Sequence, residues 1–409
     1  MPASSPGSRR SVLMGLGGLA LGGPSLGGCV TAPPPAPRAR RPRFVAPPLA
    51  PYRLDPSLIT RITVCTRPFR PQGPRIEAET VGDKRVVHNY GHGGSGWSLS
   101  WGSAEIVRGL ALEGGTREVA VIGCGALGLT AATLLQRAGA KVTIYAAERV
   151  AQARSARATG LWTPDSRIAD LDRVDPVFPA LWERMARSSW AMHQTYVGLP
   201  GEPVAFLDRY ALQGGPQVSG RMAAAAPAPT PAGPARVRFA EYASRLNDIV
   251  PQPHALDRLQ HPFPVQGARV GPNMQFNIAE LGHRLMSDFL AEGGRIEPRT
   301  FRAPGDLAAL AEPVVVNCTG YGARALFGDD SLVPVRGQMT WLPPQPEVRY
   351  SVYYDGVGLI SRPDGVGVQA LRGGDMVGYG DAKETIDRAE AEAAILRAAV
   401  LFEAAGFKA

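Results

Sequence analysis

Glu118-Val119-Ala120-Val121-Ile122-Gly123-Cys124-Gly125-Ala126-Leu127-Gly128 is the stretch on which the fold turns. An apolar run leads into glycines at Gly-x-Gly-x-x-Gly spacing. A helix follows over Ala126 to Gly139, and Lys141 to Tyr145 is the next strand. A strand-turn-helix-strand unit is the setting in which this fingerprint marks a dinucleotide site. Gly123, Gly125 and Gly128, with Ala126 and Leu127 in the first helical turn, let backbone approach a pyrophosphate. The helix start adds N–H groups and roughly half a positive charge. The turn alone does not separate FAD from NAD. Glu148, just past the second strand, is placed to accept hydrogen bonds from ribose hydroxyls; its alternative is an exposed loop carboxylate.

Upstream lies Val87-His88-Asn89-Tyr90-Gly91-His92-Gly93-Gly94-Ser95-Gly96-Trp97. Lys84 to Asn89 reads as a short strand running into this glycine turn. The turn opens a helix from Trp97 to Leu112 that Gly114-Gly115 ends. The stretch resembles the flavin-contacting motif of the D-amino-acid oxidase family. In that family the motif lies near the C-terminus, whereas here it precedes the fingerprint by one helix. Residues 119 to about 405 follow the family's order: fingerprint, Thr159-Gly160-Leu161-Trp162, Val316-Asn317-Cys318-Thr319-Gly320, Val335-Arg336-Gly337-Gln338 and a final helix. The family's closing pieces, including Arg67-Pro68-Phe69-Arg70-Pro71, occur in the right order at 58–113. A circularly permuted flavoprotein, its old termini joined by the loop Glu113 to Arg117, is the simplest reading. Fusion of a stray fragment is the competing account.

The resemblance implies a mixed α/β fold, with an FAD-binding Rossmann-like domain and an interleaved antiparallel-sheet substrate domain. It implies FAD as cofactor. Arg154 and Ser155 match the phosphate-contacting segment, and Thr159, Gly160 and Leu161 the flavin edge. Gly93, Ser95, Gly96, Trp97, Ser98 and Thr300 are further cofactor positions. The helix start at Gly96 would face the flavin's N1–C2=O edge, where its dipole stabilises developing negative charge. Arg67 aligns with the arginine that holds the substrate carboxylate as a bidentate pair, which lysine cannot reproduce. Arg70 anchors its loop, and Gly94 is a second substrate contact. No side chain acts as acid or base, because hydride passes from Cα to flavin N5. The chain departs from the family where relatives carry pocket tyrosines. It has Leu359-Ile360-Ser361 on the lining strand, with Tyr353 and Tyr354 as candidate replacements, and Ser95 in the turn.

Over 409 residues, 44% hydrophobic and 20% charged, the composition is globular and supplies ample core. The net charge of +8 comes with scattered arginines and no nucleic-acid motif, so nucleic acid is not an expected partner. Ser8-Arg9-Arg10-Ser11-Val12-Leu13-Met14 has the twin-arginine pattern, and Leu26-Gly27-Gly28-Cys29 looks like a lipobox with Cys29 as the lipidated residue. A plain signal with an incidental cysteine is the alternative. The expected layout is a signal at 1–29, a Pro-rich tether at 30–56 and the permuted segment at 57–118. FAD-binding parts follow at 119–170 and 281–330, and substrate-domain parts at 171–280, with a mobile loop over 214–234, and 331–409. Leu58 to Val64 reads as a strand stopped by the prolines after it. Helices are expected over Val177 to Tyr196, Ile278 to Glu292 and Lys383 to Ala405, a strand over Val314 to Asn317, and hairpins over Leu359 to Gly380. Cys65, Cys124 and Cys318 form no disulfide framework, and His88 and His92 read as structural rather than metal ligands.

The expected function is an exported, membrane-tethered, periplasmic FAD-dependent oxidoreductase. It would oxidise a D-amino acid to the imino acid, which hydrolyses to the 2-oxo acid, with oxygen as acceptor. One alternative is a flavin dehydrogenase for another amine or small carboxylate with a different acceptor. Another is a non-catalytic flavin- or ligand-binding lipoprotein, since the scaffold alone does not fix the chemistry.

Overall fold

The structure, a computed structural model, describes residues 49–216 and 237–406. Arg9, Arg10, Cys29, most of the expected tether and residues 217–234 of the expected loop lie outside the described residues. Two mixed sheets organise the rest. The first has six strands in the order β2 (Ala78–Val81), β3 (Lys84–His88), β10 (Val314–Asn317), β4 (Glu118–Ile122), β5 (Lys141–Ala146) and β9 (Arg295–Pro298). All neighbours are parallel except β2 and β3. Strands buried on both faces read as unbroken apolar runs rather than alternating ones, and Val119–Ile122 and Val314–Val316 do so. Val87, Val119, Val121, Val314 and Val316 face helices α1 (Gly96–Leu112), α2 (Ala126–Arg137), α3 (Phe178–Gln194) and α4 (Ile278–Ala291). Val86, Ala120, Ile122 and Val315 pack on the other side against Leu307 and Leu310. The first half of α1, Trp97 to Ala104, is buried on every side because it lies between α2, α3 and the sheet.

The second sheet runs β1 (Arg61–Phe69), β11 (Val333–Leu342), β14 (Gly365–Ala370), β13 (Val357–Arg362), β12 (Tyr350–Tyr354), β6 (Val204–Gln213), β8 (Gly267–Phe276) and β7 (His254–Leu256). It is antiparallel as expected, except that β6 and β12 are parallel. After the short α5 (Ala323–Phe327), the closing helix α6 (Arg388–Ala404) covers one face, its Ile395, Leu401 and Phe402 packing on Tyr210, Val352, Leu359 and Val368. Residues 58–113 are shared between the two sheets: Ile62 pairs with Thr340, and Val87 with Val316.

Three expectations need correction. Strand β1 does not stop before the prolines but runs through Pro68, opposite Pro334. As the first strand of the sheet it has an outer edge without a ladder, where a missing N–H costs little. The closing helix begins at Arg388, not Lys383. Asp387 caps it by accepting from the Glu390 N–H at 2.9 Å, and Gln338 grips Asp387 through both its backbone N–H and C=O. Residues 49–56, expected in the tether, join the body instead, because Tyr52 is buried in the second core and its hydroxyl donates to the Tyr350 carbonyl.

Candidate active site

A cavity of about 550 Å³ is lined by residues of both sheets. The fingerprint supplies one wall: Gly123, Gly125, Ala126 and Leu127 all line it. Gly123 has φ +105°, and a Cβ there would stand 2.6 Å from the Cys318 carbonyl oxygen. Gly128 sits behind the wall rather than in it. A Cβ on Gly128 would meet the Gly123 oxygen at 1.9 Å, so only glycine lets α2 lie this close to its strand. The Ser155 hydroxyl accepts from the Ala126 N–H at 3.2 Å. Glu148 lines the cavity beyond β5, exposed, and Thr300 lines it beyond β9. Beside Thr300, Arg299 lies over the ring of Phe301 at 5.1 Å.

The second wall is the start of α1, through Gly93, Gly94, Gly96 and Trp97. Two helix N-termini therefore open on one cavity, each carrying roughly half a positive charge. Ser95 and Ser98, expected at the cofactor, are not among the residues lining the cavity. Ser95 Oγ donates to the Ser166 carbonyl at 3.1 Å, and Ser98 Oγ accepts from the Thr163 N–H at 2.9 Å. They fasten the turn to the 163–166 loop. Trp97 Nε1 donates to the Ser155 carbonyl at 2.8 Å, tying the two helix starts together. Thr159 and Leu161 line the cavity, whereas Gly160 lies behind, its carbonyl accepting from the Phe276 N–H at 2.7 Å. Arg154 also lines the cavity, and Glu384, just ahead of α6, pairs with it at 2.6 Å and with Arg157 at 3.2 Å.

The histidines support the turn from behind. His92 shares a 3.0 Å hydrogen bond with Ser103 Oγ, and burial pushes its pKa down to about 3. His88 places Nε2 2.8 Å from Glu79 and Nδ1 3.1 Å from the Asn317 amide nitrogen. That pair of partners suits a ring donating from Nε2 and accepting at Nδ1.

At the opposite end, Arg67 lines the cavity from β1 and donates to the Arg336 carbonyl at 3.1 Å. Its guanidinium lies across Gly337, where a Cβ would stand 2.4 Å from both terminal nitrogens. Arg70 anchors the loop by pairing with Asp329 at 3.3 Å and donating to the Gly73 carbonyl at 3.2 Å. Two further arginines, not singled out from the sequence, join Arg67: Arg167 and Arg209 both line the cavity. The Arg167 side chain is only 7% exposed and meets Asp375 Oδ1 at 3.1 Å. Burial and the neighbouring Arg67 push its pKa down to about 10.

Tyr353 and Tyr354 do not line the cavity. Tyr354 faces α6 and donates to the Pro216 carbonyl. Tyr353 points to the other face of the sheet, beside Arg209. Leu359 also faces α6, so the cavity side of β13 is presented by Gly358 and Ile360.

These residues fit FAD. The glycine turn would take the pyrophosphate, Glu148 the adenosine ribose and the α1 start the flavin edge, in a cavity of cofactor-site size.

The family description "DAO: FAD dependent oxidoreductase" matches residues 118–406. A D-amino-acid oxidase of Streptomyces coelicolor is 33% identical over 224 residues, covering 54% of this chain and 58% of that protein. A D-aspartate oxidase of Talaromyces thermophilus is 44% identical over 61 residues, 15% of this chain and 16% of that protein. The chain thus spans less than two thirds of the length of these relatives. Among solved structures, glycine oxidase from Geobacillus kaustophilus superposes with a TM-score of 0.48 at 16% identity, over 71% of this chain and 80% of that one. The family match covers most of the sequence, and the protein belongs to the FAD-dependent oxidoreductase family, with FAD as its cofactor.

Proposed function

We propose that the protein oxidises D-amino acids to imino acids, which hydrolyse to 2-oxo acids and ammonia, with oxygen as the final acceptor. The observation that carries this reading is that Arg67 and the Gly123–Leu127 turn line one cavity. FAD, when bound, would supply the two-electron acceptor for the hydride that leaves the substrate Cα. The chain's own residues position and stabilise. Arg67 fixes the substrate carboxylate with its planar fork, itself held flat over Gly337. The first turn of α1 brings N–H groups to the place where negative charge develops. Leu161, Met339 and Leu371 make the adjoining wall apolar and keep water from the reacting carbon. The purified protein should carry visible flavin absorbance that a D-amino acid bleaches under anaerobic conditions. Oxygen should then restore it with formation of peroxide. Bleaching by the L-enantiomer alone would refute the reading.

Two further parts of the proposal concern order and place. The segment 58–113 is read as the family's C-terminal portion moved ahead of the fingerprint. In support, β1 and β3 take places within the two sheets rather than forming a unit of their own. Export by the twin-arginine route, with Cys29 lipidated, is read from the N-terminal motif. Lysine at both Arg9 and Arg10 should leave the folded protein in the cytoplasm. Efficient export of that variant would remove this part.

A further inference from the structure

Glu384 is not among the residues lining the cavity, yet the partners of its carboxylate are. Arg154 Nε donates to Oε1 at 2.6 Å, and the buried Thr66 hydroxyl donates to the same oxygen at 3.2 Å. Arg157 donates to Oε2 at 3.2 Å. Thr66 is on β1, the two arginines are on the turn Arg154–Arg157, and Glu384 stands just ahead of α6. Three stretches remote in sequence thus meet at one carboxylate. The backbone that delivers it is itself held. Arg336 donates to the Thr385 carbonyl at 3.0 Å, and Gln338 to the Asp387 carbonyl at 2.7 Å. Burial works against the Glu384 charge, but the hydrogen bonds from Arg154 and Thr66 and the nearby Arg157 hold its carboxyl below the usual range. It is therefore ionised at neutral pH.

The two arginines are used differently. Arg157 also donates to the Val64 carbonyl at 2.9 Å, which makes it part of the frame. Arg154 gives Glu384 only its Nε, and its two terminal nitrogens make no hydrogen bond or ion pair among the described residues. Its neighbour Ser155 accepts from the Ala126 N–H at the start of α2, where the glycine turn would take the pyrophosphate. Arg154 thus lines the cavity one residue away from that contact. Two guanidiniums on one carboxylate also leave a positive charge over for an anion. The Arg154 side chain is 50% exposed, and an ion pair so open to solvent adds little to stability. Its effect is on where Arg154 points. A long side chain free to wander must be ordered when a ligand arrives, which costs affinity, whereas one already held does not. We propose that Glu384 is a positioning residue for the cofactor: by gripping Arg154 at Nε, it sets the terminal nitrogens to meet a phosphate of FAD.

The test uses the holoprotein and follows release of FAD after dilution, read as the rise of free-flavin fluorescence. Glu384→Gln keeps the shape and gives up the charge. It should release FAD roughly three- to tenfold faster than wild type, the scale of one long side chain left for the ligand to order. Glu384→Asp keeps the charge but shortens the reach, and its rate should fall between the two. That variant carries the test should Glu384→Gln not fold. Arg154→Met should release FAD faster still. Adding Glu384→Gln to Arg154→Met should change nothing more, because the carboxylate acts through that arginine; a merely structural contribution would add. Release at the wild-type rate in both Glu384 variants would overturn the proposal. So would a double variant whose effect is the product of the two single ones.

Discussion

The two ends of the cavity are built by different means. At the cofactor end, contact is made by backbone: glycines at 123 and 125, the first turns of α1 and α2, and a glycine at 128 whose absent side chain brings helix and strand together. At the end proposed for the substrate, the lining includes long side chains, three arginines from a loop and two strands. Backbone contact depends on close approach and tolerates no added atoms. Side-chain contact depends on charge and reach, so it can be altered without disturbing the scaffold. The two ends should therefore fail independently.

The largest effect is expected from Gly128→Val. Its side chain would run into the Gly123 carbonyl, and the protein should purify without flavin absorbance. Full flavin content in this variant would break the division at its firmest point.

Arg67→Ala comes next. Losing one member of a desolvated ion pair costs ~2–5 kcal/mol, or roughly 30- to 4,000-fold at ~1.4 kcal/mol per decade. Flavin reduction in a stopped-flow instrument should fall by such a factor with cofactor content intact. Arg67→Lys should recover only part. Loss of flavin along with turnover would show that the ends are coupled.

A pH effect should belong to the scaffold behind the cofactor end. His193 is buried, with Nε2 2.9 Å from the Trp97 carbonyl at the start of α1, and desolvation pushes its pKa down to about 4. Between that value and the ordinary 6.5, the unfolded chain binds a proton that the folded one refuses. The stability is thus present above about pH 6.5 and is lost as pH falls toward 4, by up to ~3 kcal/mol. His193→Gln keeps a donor for Trp97 and removes the titration, so the decline of Tm with acid should become shallower. An unchanged slope would place the acid sensitivity elsewhere.

The smallest effect should come from Gly337→Ala. The methyl group claims the space under the Arg67 guanidinium and should cost about tenfold in kcat/KM, near ~1.4 kcal/mol, with flavin retained. Wild-type kinetics would show that Arg67 does not need its flat seat.

The same division explains what could be read in advance. Glycine at 123, 125 and 128 announces itself, because few reasons other than close approach put three glycines at that spacing between strand and helix. Arg67 stood out only through the resemblance of Arg67–Pro71 to the family's segment, and it lines the cavity. Arg167 and Arg209 did not stand out, since an arginine in a loop or strand usually faces water and gains meaning only when chain crossings bring it inward. Tyr354 shows how finely strand readings turn. Along β12 each step reverses the face, so its neighbour Tyr353 points toward the cavity side while Tyr354 enters the core under α6. Ser95 and Ser98 sit beside contact residues in sequence, yet their side chains leave the helix start in other directions. The start of α6 did carry a signal, Asp387 three residues ahead of Glu390, that the smooth Ala/Glu composition around it masked.

The pairing of β1 with β11 has a consequence for the life of the chain before it is folded. Cys65 lies opposite Gly337, and His88 opposite Asn317. During synthesis β1 leaves the ribosome long before β11, and β3, with only β2 beside it, long before β10. Those edges must wait, unpaired, until the later strands of the chain have followed. Contacts so distant along the chain are slow to close, and a waiting strand is open to pairing with the wrong neighbour. Arg67 is thus made long before the strand that seats it.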